Sequence, residues 1–152
     1  MCIMQFAFDL ISDLHLDTWH SNFDWSGQAT SAHCVVAGDI CFDQDRLVQC
    51  LMHLSKCYQA VFYIDGNGEH EHRLDDLDHS YSLLAKNISK LRNVVYLQDN
   101  VVVINGVAIL GTNGWWNFDF DPGVSAEHSM AWFEQKYSLS RDQVLKIRTA
   151  AN

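Results

Sequence analysis

His33-Cys34-Val35-Val36-Ala37-Gly38-Asp39-Ile40 is the stretch that decides the fold. Its first five residues form a short apolar run that reads as a strand, His33–Ala37, buried on both faces as in the interior of a parallel sheet. Gly38 then lets the chain turn sharply, and Asp39 follows where the strand passes into a loop.

Upstream, Ile3–Ile11 reads as a first strand that runs into Asp13-Leu14-His15, and the polar, aromatic stretch Thr18–Ser31 reads as a loop. Downstream, Asp43–Cys57 is helical, with Leu47, Val48, Leu51 and Leu54 on one face. Val61–Ile64 is a third strand, ending at Gly66-Asn67. Leu74, Leu77, Tyr81, Leu84, Ile88 and Leu91 recur at three- and four-residue intervals and predict one long amphipathic helix. Val94–Leu97 is a short strand. Val101–Ile104 and Val107–Leu110 form a hairpin through Asn105-Gly106, which supplies the positive φ angles of a type I′ turn. Ala126, Met130, Phe133 and Tyr137 mark a further helix. Ser140 and Gln143 form a capping box that opens a last one, running to Asn152 without a stop signal. The β-α-β-α-β order predicts an α/β fold whose mixed, largely parallel central sheet is flanked by helices. Residues 1–152 are read as a single domain, left incomplete by the abrupt end.

The 152 residues suffice for one domain with a real core, and 48% hydrophobic and 19% charged content is ordinary for a globular chain. No apolar run is long enough to span a bilayer, and no basic residue precedes the apolar N-terminus as in a signal peptide. Five cysteines without a CxxC pair read as reduced thiols, so a cytoplasmic protein with no membrane partner is expected. A formal charge of −9 gives no electrostatic footprint for nucleic acid.

The chemistry lies just past the strand ends, where α/β folds carry their sites. Asp13 and His15, two residues apart at a strand-to-loop passage, can both turn toward one ion. Carboxylate and imidazole suit Mn²⁺, Fe or Zn²⁺. Asp39 has two oxygens with which to bridge two cations, and Asn67 offers a neutral carbonyl oxygen. A nucleotide-binding α/β protein is disfavoured, because no Gly-rich phosphate loop follows the first strand.

The series Asp-x-His, Gly-Asp and Gly-Asn, each directly after a strand, resembles the calcineurin-like metallophosphoesterases over roughly residues 3–112. That resemblance implies a sandwich fold, a phosphoester substrate and a dinuclear centre. Asp13 and His15 would bind the first metal, Asp39 would bridge, and Asn67 would bind the second. An activated hydroxide would attack phosphorus in line. Two departures follow. The family reads G-N-H-E where this chain reads Gly66-Asn67-Gly68-Glu69-His70-Glu71. Aligned without a gap, Gly68 takes the place of the histidine that protonates the leaving alkoxide. His70 is the candidate catalytic stand-in if the loop bends differently. Losing a general acid costs on the order of 10²–10⁴ in rate. The family's later G-H-x-H is absent, and His128 lies within a helical pattern. Partial metal occupancy and weak or no phosphatase activity are therefore expected. The alternative is a catalytically degraded binding or oligomerisation module.

Other features take bland readings. His72 and His79 are read as solvated, Trp115-Trp116 as packing a loop, and Asp43 as a helix N-cap; Asp9 and Asp17 carry no assigned role. Because the three strands are apolar on both faces, a homo-oligomer that covers the open sheet face is expected.

Overall fold

A computed structural model describes residues 6–114, 118 and 123–150 of the chain. Its centre is a four-stranded sheet of β1 (Asp9–Ile11), β2 (His33–Ala37), β3 (Ala60–Ile64) and β4 (Val94–Tyr96), in the order β1-β2-β3-β4 with every pair parallel. Helices α1 (Gln44–Cys57) and α2 (Leu77–Ile88) are the crossovers. Each connection steps to the next strand in the same direction. Right-handed crossovers then put both helices on one face. That face carries Cys34, Val36, Val61, Tyr63 and Val94, packed under Leu47, Leu51 and Leu54 of α1 and Leu84 and Ile88 of α2. On the other face Leu10, Val35, Phe62 and Val95 share one register; Phe62 is buried, but Leu10 is 66% exposed.

Asp43 caps α1, its carboxylate accepting from the backbone N–H groups of Asp45 and Arg46, an arrangement worth about 1 kcal/mol. The long helix expected over Leu74 to Leu91 is broken. A 3-10 segment spans Gly68–Arg73, and α2 begins only at Leu77, where the Asp76 carboxylate accepts from the His79 N–H. Leu74 does not belong to the α2 face. It packs with Phe118, Met130, Phe133, Val144 and Ile147 in a second cluster that joins α3 (Ala126–Tyr137) to α4 (Arg141–Ala150). The capping box before α4 is present, with Ser140 N–H on Gln143 Oε1 at 2.7 Å and Gln143 N–H on Ser140 Oγ at 3.4 Å.

The hairpin of β5 (Asn100–Ile104) and β6 (Val107–Gly111) turns through Asn105 and Gly106 at φ 50° and 77°. It stands as a separate antiparallel pair, joined to the region after β4 by a bridge from Gln98 to Gly111. The mixed character expected at the sheet edge thus sits in this hairpin, while the central sheet is wholly parallel.

The first strand is shorter than Ile3–Ile11: it begins at Asp9, residues 1–5 lie outside the described residues, and the Phe6 ring packs at 4.9 Å on His33. Asp9 has a clear role. Its carboxylate accepts from the N–H groups of Thr30 and Ser31, the Thr30 hydroxyl and the Tyr58 hydroxyl, while Trp25 Nε1 donates to Tyr58 Oη at 2.7 Å. The 18–31 loop is thereby tied to β1 and to the end of α1. Cys34, Cys41, Cys50 and Cys57 are free thiols. Among the described residues no helix is long and apolar enough to cross a membrane.

Candidate metal centre at the carboxyl edge of the sheet

The loops after β1 and β2 continue the contact of their strands. Asp13 N–H donates to Gly38 O at 3.0 Å, His15 N–H to Asp39 O at 3.1 Å, and Leu16 N–H to Ile40 O at 2.8 Å. Asp13, His15 and Asp39 all have left-handed backbones, at φ 53°, 45° and 53°. Each costs roughly 1–2 kcal/mol for an L-residue, and such strain persists where surrounding structure enforces it. Here the result is convergence: one ligand atom from each of the three residues lies within 4.8 Å of the others. Asp13 and His15 are exposed and Asp39 is half-buried, so the group opens to solvent.

The third loop, after β3, closes on the second at van der Waals range. A Cβ on Gly38 would stand 2.6 Å from the Gly66 nitrogen, and one on Gly66 would collide with Asp39 Oδ1. No side chain fits at either position. Gly68 N–H donates to Asp39 Oδ1 at 2.8 Å. Asn67 is exposed between these two glycines, so its backbone flanks the Asp39 carboxylate.

Two buried acids hold this arrangement from below. Glu69 is 2% exposed, and its carboxylate accepts from the N–H groups of Ile40 (2.6 Å), Gly66 (2.8 Å), Asp39 (3.1 Å) and Cys41 (3.3 Å). Burial pushes its carboxyl upward, and these N–H groups offset part of that effect. Four hydrogen bonds to one carboxylate hold the loop after β2 and the loop after β3 in fixed relation. Asp65, also buried, meets His70 Nε2 at 2.7 Å and accepts from Asn113 Nδ2, which also reaches Gly66 O at 3.3 Å. Burial alone would raise the Asp65 carboxyl, but the hydrogen bonds with His70 and Asn113 lead the effects that outweigh it and hold it below the ordinary value.

His70, the expected stand-in for the general acid, is completely buried. Its Nε2 faces Asp65 and its Nδ1 meets Ser80 Oγ at 2.8 Å. With Asp65 ionised, the imidazole donates to it and accepts from the Ser80 hydroxyl, which ties β3 to α2. A general acid must reach the leaving oxygen, and both ring nitrogens are engaged in the interior. His72, His79 and His128 are exposed, and His72 packs edge-on against Phe42. Asp17 accepts from the Phe42 N–H at 3.0 Å. Trp115 and Trp116 lie outside the described residues.

Against known proteins, no family model and no curated protein matches the chain. A solved structure does: the phosphopantetheinyl hydrolase of Mycobacterium tuberculosis, similar at 17% identity with a TM-score of 0.62. The match covers 90% of this chain and 53% of that one, so the chain spans about half the length of its structural neighbour. The resemblance to calcineurin-like metallophosphoesterases is corrected accordingly. No family model carries it, and the neighbour is described as a phosphopantetheinyl hydrolase. Asp-x-His, Gly-Asp and Gly-Asn are short, common strings, and three converging side chains outline a candidate site rather than a family. The likeness at this identity shows the fold.

Glu69, Asp65, Ser80 and Asn113 received no role from sequence. Glu69 alone had a signal, its register with the last residue of a four-residue motif.

Proposed function

We propose that the chain belongs to a metal-dependent phosphoester hydrolase whose divalent cation is held by Asp13, His15 and Asp39. The convergence of these three donors within 4.8 Å, on three strained backbones at one sheet edge, carries the reading. Two carboxylates and an imidazole fit Mn²⁺, Fe²⁺ or Zn²⁺, and three protein ligands leave positions for water and substrate. The structural neighbour's hydrolysis of a phosphopantetheinyl group supports a phosphoester as the substrate class.

When bound, the cation supplies Lewis-acid polarisation of a phosphoryl oxygen and a lowered pKa for water. The chain's own residues orient the donors. Gly68 N–H fixes Asp39 Oδ1, and the exposed Asn67 beside it would be the residue to offer an amide oxygen if a second cation bound. No side chain at Gly68 supplies a proton to the leaving group, and His70 is held by Asp65 and Ser80. Esters whose leaving groups depart without protonation are therefore the preferred substrates, and turnover is slow.

Titration calorimetry of metal-free protein with Mn²⁺ should show binding that Asp39→Asn abolishes. Hydrolysis of an aryl phosphate and of a phosphopantetheinyl ester should be slow and stopped by a chelator. Failure to bind Mn²⁺, Fe²⁺ or Zn²⁺, or turnover that survives chelation, refutes the reading. The burial of His70 favours a second reading, a cation-binding module without turnover; binding with no hydrolysis of any ester tested selects it.

A further inference from the structure

One buried carboxylate receives four backbone N–H groups from two separate loops, three from the loop after β2 and one from the loop after β3. We infer that Glu69 is the positioning residue of the centre, holding Asp39 in its left-handed backbone so that its carboxylate meets Asp13 and His15; this rests on the cation reading above.

The geometry gives the reason. Asp39 sits at φ 53°, and its own N–H is one of the groups Glu69 accepts. The next two N–H groups, of Ile40 and Cys41, point to the same carboxylate, so three successive peptides form a concave nest around one anion. The fourth, Gly66 N–H at 2.8 Å, fixes the loop that also presents Gly68 N–H to Asp39 Oδ1. Glu69 thus controls Asp39 at both ends, through its backbone and, by way of the Gly66–Gly68 loop, through its carboxylate. Glu69 itself is 2% exposed and points away from the opening, so it acts through Asp39 and not on a substrate. A glutamine there keeps the shape but has one acceptor oxygen, and it turns an NH₂ donor toward N–H donors.

Glu69→Gln is expected to weaken Mn²⁺ binding by about 10–100-fold, the usual effect of losing a partner that orients a ligand. The Asp39 ¹³Cα and carbonyl resonances should also leave the values of a left-handed residue. Asp76→Ala, which removes the α2 cap instead, should lower thermal stability and change neither readout. A wild-type Mn²⁺ Kd in Glu69→Gln, with left-handed Asp39 resonances, overturns the inference. If wild-type protein binds no Mn²⁺, the cation reading fails, and the Asp39 resonances alone decide the role of Glu69. If Glu69→Gln does not fold, amide exchange in wild-type protein decides. Slow exchange at Asp39, Ile40 and Gly66 supports the inference, and fast exchange at these amides rejects it.

Discussion

Asp13 and His15 hold conformations that cost stability and bring nothing to packing, since both side chains are exposed. A prediction separates the two roles. Asp13→Gly removes a candidate ligand while relaxing the left-handed backbone, so the metal-free protein should stay within about 1 kcal/mol of wild type by denaturant unfolding. Its Mn²⁺ binding should fall below detection. A large loss of stability instead assigns Asp13 to the scaffold. A second prediction concerns position 68. A Cβ there would lie 2.9 Å from Asp39 Oδ1, so Gly68→His must push that carboxylate aside. It should weaken Mn²⁺ binding and leave phosphoester turnover no faster; a gain in turnover contradicts this. The three converging residues were legible in sequence because each follows a strand whose end is marked by an apolar run. Glu69 and the Asp65–His70–Ser80 chain were not. Their roles depend on which way side chains point after a loop bends, and periodicity carries no such information.

The elements repeat this contrast. β2 and α1 were legible to within a residue because a buried strand and a capped helix are both written locally. The helix expected from Leu74 was not: the spacing of apolar residues runs on from Leu74 and Leu77 to Leu84 and Ile88, although the first two pack in the α3–α4 cluster and the last two under the central sheet. The 18–31 loop carries a pH prediction. Hydrogen bonds from the Thr30 hydroxyl and Thr30 N–H, aided by those from Tyr58 and Ser31, lower the Asp9 pKa to about 2. A depressed folded pKa gives stabilisation that is complete above the ordinary carboxylate value and lost as pH falls through the folded one. Trp25, which donates to Tyr58, reports the change. Its fluorescence should shift as pH falls from about 4 to about 2, and Asp9→Asn should abolish that step. Identical profiles for the two proteins would assign the anchoring to other contacts.

Across the whole molecule, the sheet is covered unequally. α1 and α2 occupy one face, while Leu10 (66%) and Phe8 (48%) on β1 and its approach, with Val103 (70%) and Leu110 (73%) on the hairpin, stand in solvent. Apolar surface gains roughly 25 cal/mol for each Å² removed from water. Self-association of the chain is the expected outcome, with Leu10 in the contact. Light scattering at tens of micromolar should give a mass above the monomer, and Leu10→Lys should return it to one chain. A stable monomer for the wild-type sequence removes this expectation. The strands read as apolar on both faces in sequence, but which of these residues meet solvent was not legible: Phe62 is buried and Leu10 exposed, because that depends on what packs over each strand.

The stitch from Glu69 to the loop after β2 has a consequence for the order of events during synthesis. Asp13, His15 and Asp39 leave the ribosome first, and the carboxylate that holds Asp39 in place follows about thirty residues later. Domains form from the N-terminus as the chain emerges. A nascent chain that has reached α1 already carries all three donors, but has no anion to collect the Asp39, Ile40 and Cys41 N–H groups. If the three donors hold a cation as proposed, stalled chains ending before and after Glu69 would therefore differ in cation retention though their donors are identical.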